Sequence, residues 1–234
     1  MKINVHKSNC RGTSKYDWLL SRHSFSFANY HNPERMGFGA LRVLNDDIVD
    51  AGKGFGMHRH ENMEIVSIVL EGSLEHKDSM GNHGIIKENE VQRMSAGTGV
   101  NHSEFNHSKT DKSHFLQIWI EPNEMNLEPS YEQKNIPITK NKLHEIASGT
   151  KKKDAVYIHQ NSSMFIGNFD KGKEAMQMLV DKSHGAFVFV IEGEIELEKN
   201  ILAAGDSAEI TGAGKVDFKA NKQSKVLLIE VPMN

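Results

Sequence analysis

The chain has 234 residues, 38% of them hydrophobic and 25% charged, with 28 Lys and Arg against 31 Asp and Glu for a formal net charge of −3. That balance lacks the basic surplus by which a domain holds nucleic-acid phosphates, so no direct nucleic-acid contact is expected. Cys10 is the single cysteine, which excludes an internal disulfide and any thiolate-held cluster.

The opening residues, Met1 to Gly12, lack the apolar run of a secretory leader, and no apolar run is long enough to span a bilayer. A soluble, cytoplasmic protein without membrane contact is therefore the expectation, built as one large domain or two small ones.

Along the chain, the first feature is an aromatic stretch, Phe25, Phe27 and Tyr30, flanked by His23 and His31. It reads either as core or as the wall of a pocket for a flat ligand. Next comes His58-Arg59-His60. Residues two apart on a strand point to one face, so the two imidazoles project together as a metal bite while Arg59 points away from the chemistry. Ile65 to Leu70 opens a series of short apolar runs that continues at Phe115 to Ile120, Phe187 to Ile191 and Val226 to Val231. Runs of this length, rich in Val, Ile and Phe and bounded by turn residues, predict strands. With no long helical period, the chain is expected to be all-β, a sandwich or barrel.

His102-Ser103-Glu104 repeats the two-residue spacing on a second predicted strand. If an antiparallel pair brings both segments together inside a barrel, His58, His60, His102 and Glu104 converge. Burying that much polarity is costly unless a divalent cation satisfies all four groups. Glu64 has the same parity as His58 and His60, so spacing alone leaves it as good a carboxylate ligand as Glu104. Around these motifs lie His76, His83, His107 and His114, for which the sequence shows no pairing; His83 falls in a Gly81-Asn82-His83-Gly84 turn and is expected exposed.

From Pro122 to Lys153 the chain is polar and proline-rich, ending in Lys151-Lys152-Lys153. It reads as a linker, with a short helix near Leu143 to Ala147 and the lysines in solvent. Beyond it the chain repeats itself. Val69 to Glu75 matches Val190 to Glu196, Ala96 to Gly99 matches Thr211 to Gly214, and Leu116 to Pro122 matches Val226 to Pro232. Duplicated β-domains follow, over 1–130 and 154–234 with residues 131–153 between them. By that repeat, His58, His60, His102 and Glu104 fall on Leu179, Asp181, Asp217 and Lys219, which cannot build the same site. One metal per chain is expected, with His184 as a satisfied structural histidine.

The stretch Gly52 to Gly72 resembles the first cupin motif: a glycine, five residues, His-x-His, three residues, a glutamate, and a closing glycine one residue later than usual. Ser95 to Asn106 resembles the second motif, with Gly97 where most cupins have proline. Both departures, and the match from Arg22-His23-Ser24-Phe25-Ser26-Phe27 through Gln117-Ile118-Trp119, are similar to the pirin-like bicupins. That resemblance implies two jelly-roll-type cupin barrels in tandem with few short helices. It also implies His58, His60, His102 and Glu104 as metal ligands, with Glu64 behind them, and a non-haem metal, usually iron. Three imidazoles and a carboxylate suit Fe(II), and also manganese, nickel, copper or zinc. The activity implied is that of a quercetin dioxygenase acting on a flavonol and dioxygen with loss of carbon monoxide, Glu104 serving as base. A second expectation, of a different class, is a redox-sensing interaction protein whose metal state is read by a transcription regulator. A monomer is expected in either case.

Overall fold

The computed structural model describes residues 1–136 and 139–233; within the expected linker and second domain, positions 137, 138 and 234 lie outside the described residues. The architecture is all-β: among the described residues the one helical segment is a single turn, Ser8–Cys10. None of its helices is long and apolar enough to cross a membrane.

Each half pairs a seven-stranded sheet with a four-stranded one. In the first half the large sheet runs, in spatial order, Ser130–Asn135, Glu90–Ser95, Glu64–Glu71, Ser113–Ile120, Leu41–Val49, Leu19–His23 and Gly12–Tyr16. The small sheet runs Gly54–His60, Val100–Asn106, Ser73–Asp78 and His83–Lys87. The second half repeats the plan, its large sheet centred on His184–Glu192 and Ser224–Pro232. These are the two cupin barrels in tandem that the repeated segments indicate.

Strand parity explains where each core lies. In the Ser113–Ile120 strand, Phe115 turns into the first barrel and packs with Val49, Val69 and Leu74. Leu116, Ile118 and Ile120 turn outward and meet Phe187, Phe189, Leu227, Ile229 and Val231 of the second half. The large sheets therefore share one apolar layer between the barrels. A strand buried on both faces is mostly apolar, which is why these runs show no regular polar alternation. The second barrel is filled by Val188, Val190, Ile210, Phe218 and Leu228. The first is apolar at its ends and polar in the middle, where Asn45, Ser67, Glu104 and Gln117 are buried.

Two expectations change. The segment near Leu143 to Ala147 is a strand, His144–Ser148, antiparallel to Ser163–Phe169. A bulge between Glu145 and Ala147 turns both Ile146 and Ala147 into the shared core. Such a short segment gains more from that pairing than from a single helical turn. The rest of the expected linker is likewise tied down. Ser130–Asn135 is an edge strand paired with Glu90–Ser95, and Lys134 Nζ donates to the carbonyls of Lys152 (3.0 Å) and Ala155 (2.6 Å). At the other end, Lys2–His6 crosses to pair with Ser207–Thr211 in the second half's sheet. Lys151, Lys152 and Lys153 are exposed, as expected.

Candidate metal centre

Register assembles the site. The Val100–Asn106 strand lies between Gly54–His60 and Ser73–Asp78, with His102 opposite His58 on one side and Asp78 on the other. A bulge between His102 and Glu104 shifts the pairing so that Glu104 faces Phe55 and His76. His58, His60 and His102 consequently present nitrogens that all lie within 4.8 Å of one another. Glu104 belongs to an overlapping group, formed with His102 and His76 within the same limit. Its carboxylate accepts hydrogen bonds from Gln117 Nε2 (2.7 Å) and Ser67 Oγ (3.1 Å).

The tautomers follow from the partners. His58 Nδ1 lies 2.7 Å from the Gly56 carbonyl, which can only accept; in the neutral ring Nε2 is then bare. On the other side, burial raises the Asp78 carboxyl, but hydrogen bonds from His76 and Asn82 outweigh it and hold the group below its ordinary value. Asp78 Oδ2 therefore accepts from His76 Nε2 at 3.0 Å, and His76 Nδ1 lies 3.5 Å from both Gln92 Nε2 and His102 Nδ1. His102 Nε2 faces His58 Nε2 at 3.1 Å. Burial, then His102 and His58, push His60 down to about 4 against the pull of Glu104. Burial, then His58 and His76, push His102 down to about 3. Three imidazoles meeting beside a buried carboxylate are costly to bury without a cation to satisfy them. The donor set therefore fits a first-row divalent ion.

The triad opens onto a cavity of about 600 Å³ with largely aromatic walls. Trp18 meets Phe55 edge-on at 5.4 Å, and Trp119 meets His60 edge-on at 4.8 Å and Phe27 at 5.3 Å. The aromatic stretch noted in the sequence thus divides. Phe25 packs in the shared core against Phe187, whereas Phe27 lines the cavity.

Glu64 lies elsewhere. Its carboxylate accepts from Ser95 Oγ (2.9 Å) and faces His159 Nδ1 of the second half (3.2 Å). The parity that equated it with His58 and His60 does not pass through the turn at 61–63, where Asn62 has φ +49°. Arg59 is exposed and pairs with Glu61. The surrounding histidines do have partners: His83 and His107 share Glu75 at the surface, and His114 meets Asp46 at 2.6 Å. His184 is buried, with Nε2 3.0 Å from the Asn161 carbonyl. In the second half Leu179 is core, Asp181 and Lys219 are exposed, Asp217 is half-buried, and the described residues there bring no ligand group together. Sequence reasoning missed His76 and Asp78, although His76-Lys77-Asp78 carries the same two-residue spacing as the other ligand pairs.

A tandem of cupin barrels with a histidine triad at the head of an aromatic cavity in the first barrel is a bicupin with, among the described residues, one candidate metal centre. Residues 4–120 match the Pirin family and residues 145–231 the quercetinase C-terminal cupin domain. The chain belongs to the pirin family. It is 38% identical over 230 residues to a quercetin 2,3-dioxygenase of Escherichia coli K12, covering 98% of this chain and 99% of that one. The bacterial pirin YhhW of Escherichia coli, solved in complex with nickel(II), superposes with a TM-score of 0.94 at 36% identity over the full length of both chains. A quercetin 2,3-dioxygenase of Acinetobacter baumannii shares the fold, with a TM-score of 0.79 at 22% identity over 99% of this chain and 86% of that one.

Proposed function

We propose that the chain is a metal-dependent dioxygenase that opens the flavonol ring of quercetin with dioxygen and releases carbon monoxide. The ion is held by His58, His60, His102 and Glu104. The observation that carries this reading is the convergence of the His58, His60 and His102 nitrogens within 4.8 Å of one another at the head of a cavity large enough for a flat polyphenol. The full-length similarity to a quercetin 2,3-dioxygenase supports the substrate class. Iron(II) is the ion the resemblance implies, and nickel(II) is the one held by the Escherichia coli relative.

When bound, such an ion supplies Lewis-acid stabilisation of a deprotonated flavonol. The chain's own residues do the rest. Trp18, Phe27 and Trp119 hold the flat rings and keep water from the reacting edge. Glu104 takes the proton of the flavonol hydroxyl, its carboxylate aimed by Gln117 Nε2 and Ser67 Oγ. His76, itself held by Asp78, orients the His102 ring.

The test is turnover of quercetin by metal-replete protein, followed as oxygen consumption and carbon monoxide release. Turnover abolished in His60→Ala supports the reading. Protein carrying stoichiometric metal that consumes no oxygen with quercetin overturns it.

A further inference from the structure

The first half's large sheet turns Val66, Ile68 and Val91 toward the second half as part of the shared apolar layer. At the outer edge of that face the layer stops. Strand parity and register put Arg93 and Ser95 on the face of Val91, beside Lys134, Glu132 and Ser130 of the edge strand. Gln92 points the other way, toward His76 inside the first barrel. Lys151, Lys152, Tyr157 and His159 stand over this polar margin, and the two sides enclose a cleft of about 450 Å³. It shares no lining residue with the aromatic cavity and lies across the sheet from the metal centre.

Charge in the cleft is one-sided. Arg93, Lys134, Lys151 and Lys152 line it against a single lining carboxylate, Glu132, although the chain as a whole carries −3. Two of the cations are fixed by the fold. Arg93 is buried and donates to Ser95 Oγ (3.0 Å) and Ser130 Oγ (2.6 Å). Lys134 Nζ is tied to Glu132 (2.9 Å) and to the carbonyls of Lys152 and Ala155. Glu132 is itself committed, accepting from the Tyr157 amide at 2.8 Å as well. Lys152 meets Glu145, which does not line the cleft. Lys151 is exposed and, among the described residues, lies over the Tyr157 ring at 5.5 Å rather than on a carboxylate.

A cleft lined by one sign of charge between low-dielectric walls concentrates ions of the other sign. With Glu132 committed, an anion entering from solvent meets Lys151 and Lys152, with the fixed charges behind them. The donors suit phosphate better than carboxylate. A phosphomonoester carries about two negative charges at neutral pH and three strong acceptor oxygens, and lysine binds phosphate as a point charge, with no bidentate match required. The volume admits an organic body beside the phosphate.

We propose that the cleft between the barrels is a binding site for a small phosphate-bearing molecule, its phosphate held by Lys151 and Lys152 in front of Arg93 and Lys134. The site is independent of the flavonol reading and of the metal.

The experiment is calorimetric titration of nickel-loaded, full-length protein at low ionic strength, with methyl phosphate and acetate as probes. Methyl phosphate should bind at least about tenfold more tightly than acetate. Lys151→Glu should weaken methyl phosphate at least about tenfold, and Lys151→Arg should retain it. Lys199→Glu, the same reversal at an exposed lysine outside the cleft, should leave affinity within about twofold, since solvent and salt screen so remote a charge. Lys151 is exposed, so these variants keep the fold. The proposal is overturned by the absence of saturable methyl phosphate binding, by equal affinity for both probes, or by equal weakening in Lys151→Glu and Lys199→Glu. Binding that persists in Lys151→Glu and vanishes when the metal is stripped belongs to the ion, and overturns it too.

Discussion

His102 Nε2 stands 3.1 Å from His58 Nε2, while the far nitrogen of His58 is committed to the Gly56 carbonyl and that of His102 lies toward His76. A cation held between these nitrogens binds the folded chain and not the unfolded one. Metal-stripped protein should therefore gain stability on addition of Fe(II) or nickel(II). At a hundredfold excess over the dissociation constant, linkage gives about 2.7 kcal/mol, or roughly 5–10 °C in melting temperature for a chain of this size. His60→Ala and His102→Ala should lose the shift. Scanning calorimetry with and without chelator checks this, and an unchanged melting temperature counts against the site.

His76 carries the second expectation. It links Asp78 to His102 and so orients the His102 ring. Groups that orient a ligating histidine typically contribute 10–100-fold in metal affinity. His76→Gln should weaken binding by about that factor in a competition titration with a chromogenic chelator, while the metal-free melting temperature moves far less. Equal affinity in variant and wild type removes the orienting role.

Gly97 explains one departure from the usual motif. Its φ is +45°, and a Cβ there would stand 1.9 Å from the Leu127 carbonyl oxygen. Proline, locked near φ −65°, cannot adopt that conformation. The Gly97 carbonyl accepts from Asn62 N, in the turn just after His60, so a shift at Gly97 reaches the ligand strand. Gly97→Ala should cost at least about 2 kcal/mol of stability, from left-handed strain and the clash together. Denaturant titration of the two proteins measures it.

The ligand triad was legible because each pair sits on an uninterrupted strand, where a period of two holds. Glu64 was not, because the turn at 61–63 resets the count. His76 and Asp78 had the right spacing, but only the pairing of Ser73–Asp78 with Val100–Asn106 brings them to His102. Sequence does not state that register. Asp47 drew no notice in the sequence, because its burial comes from the barrel closing over the Leu41–Val49 strand. The shared layer between the barrels was half legible, as doubly apolar strands without a stated partner.

That shared layer makes the halves mechanically one. Phe187 is fully buried and packs against Phe25 at 5.5 Å and Phe38 at 6.2 Å, both from the first half. Phe187→Ala should cost about 3–5 kcal/mol and lower the stability of both barrels together. Near-ultraviolet and metal-binding signals of the first barrel should then shift with those of the second. Two separated transitions, with the first barrel unmoved, contradict this coupling.

The remaining expectation concerns pH and Asp47. Burial raises its carboxyl from the ordinary 3.8 to about 7, with Ser21 opposing and the Asp46 and Glu104 charges assisting, while His114 lowers it slightly. In the unfolded chain the group ionises near its ordinary value. Between there and about pH 7 the folded chain therefore holds more proton than the unfolded one, and stability falls as pH rises. The penalty is absent in acid, grows across that window and is complete above it, with an upper bound on the order of 4 kcal/mol. Asp47→Asn keeps the shape and removes the ionisation. The difference in unfolding free energy between Asp47→Asn and wild type, measured by denaturant titration of metal-stripped protein from pH 4 to pH 8, should widen in favour of the variant as pH rises. Other titrating groups are common to both proteins and cancel in that difference. A gap that stays constant, or that narrows toward pH 8, means the Asp47 carboxyl ionises freely and is solvated in a way its burial does not allow.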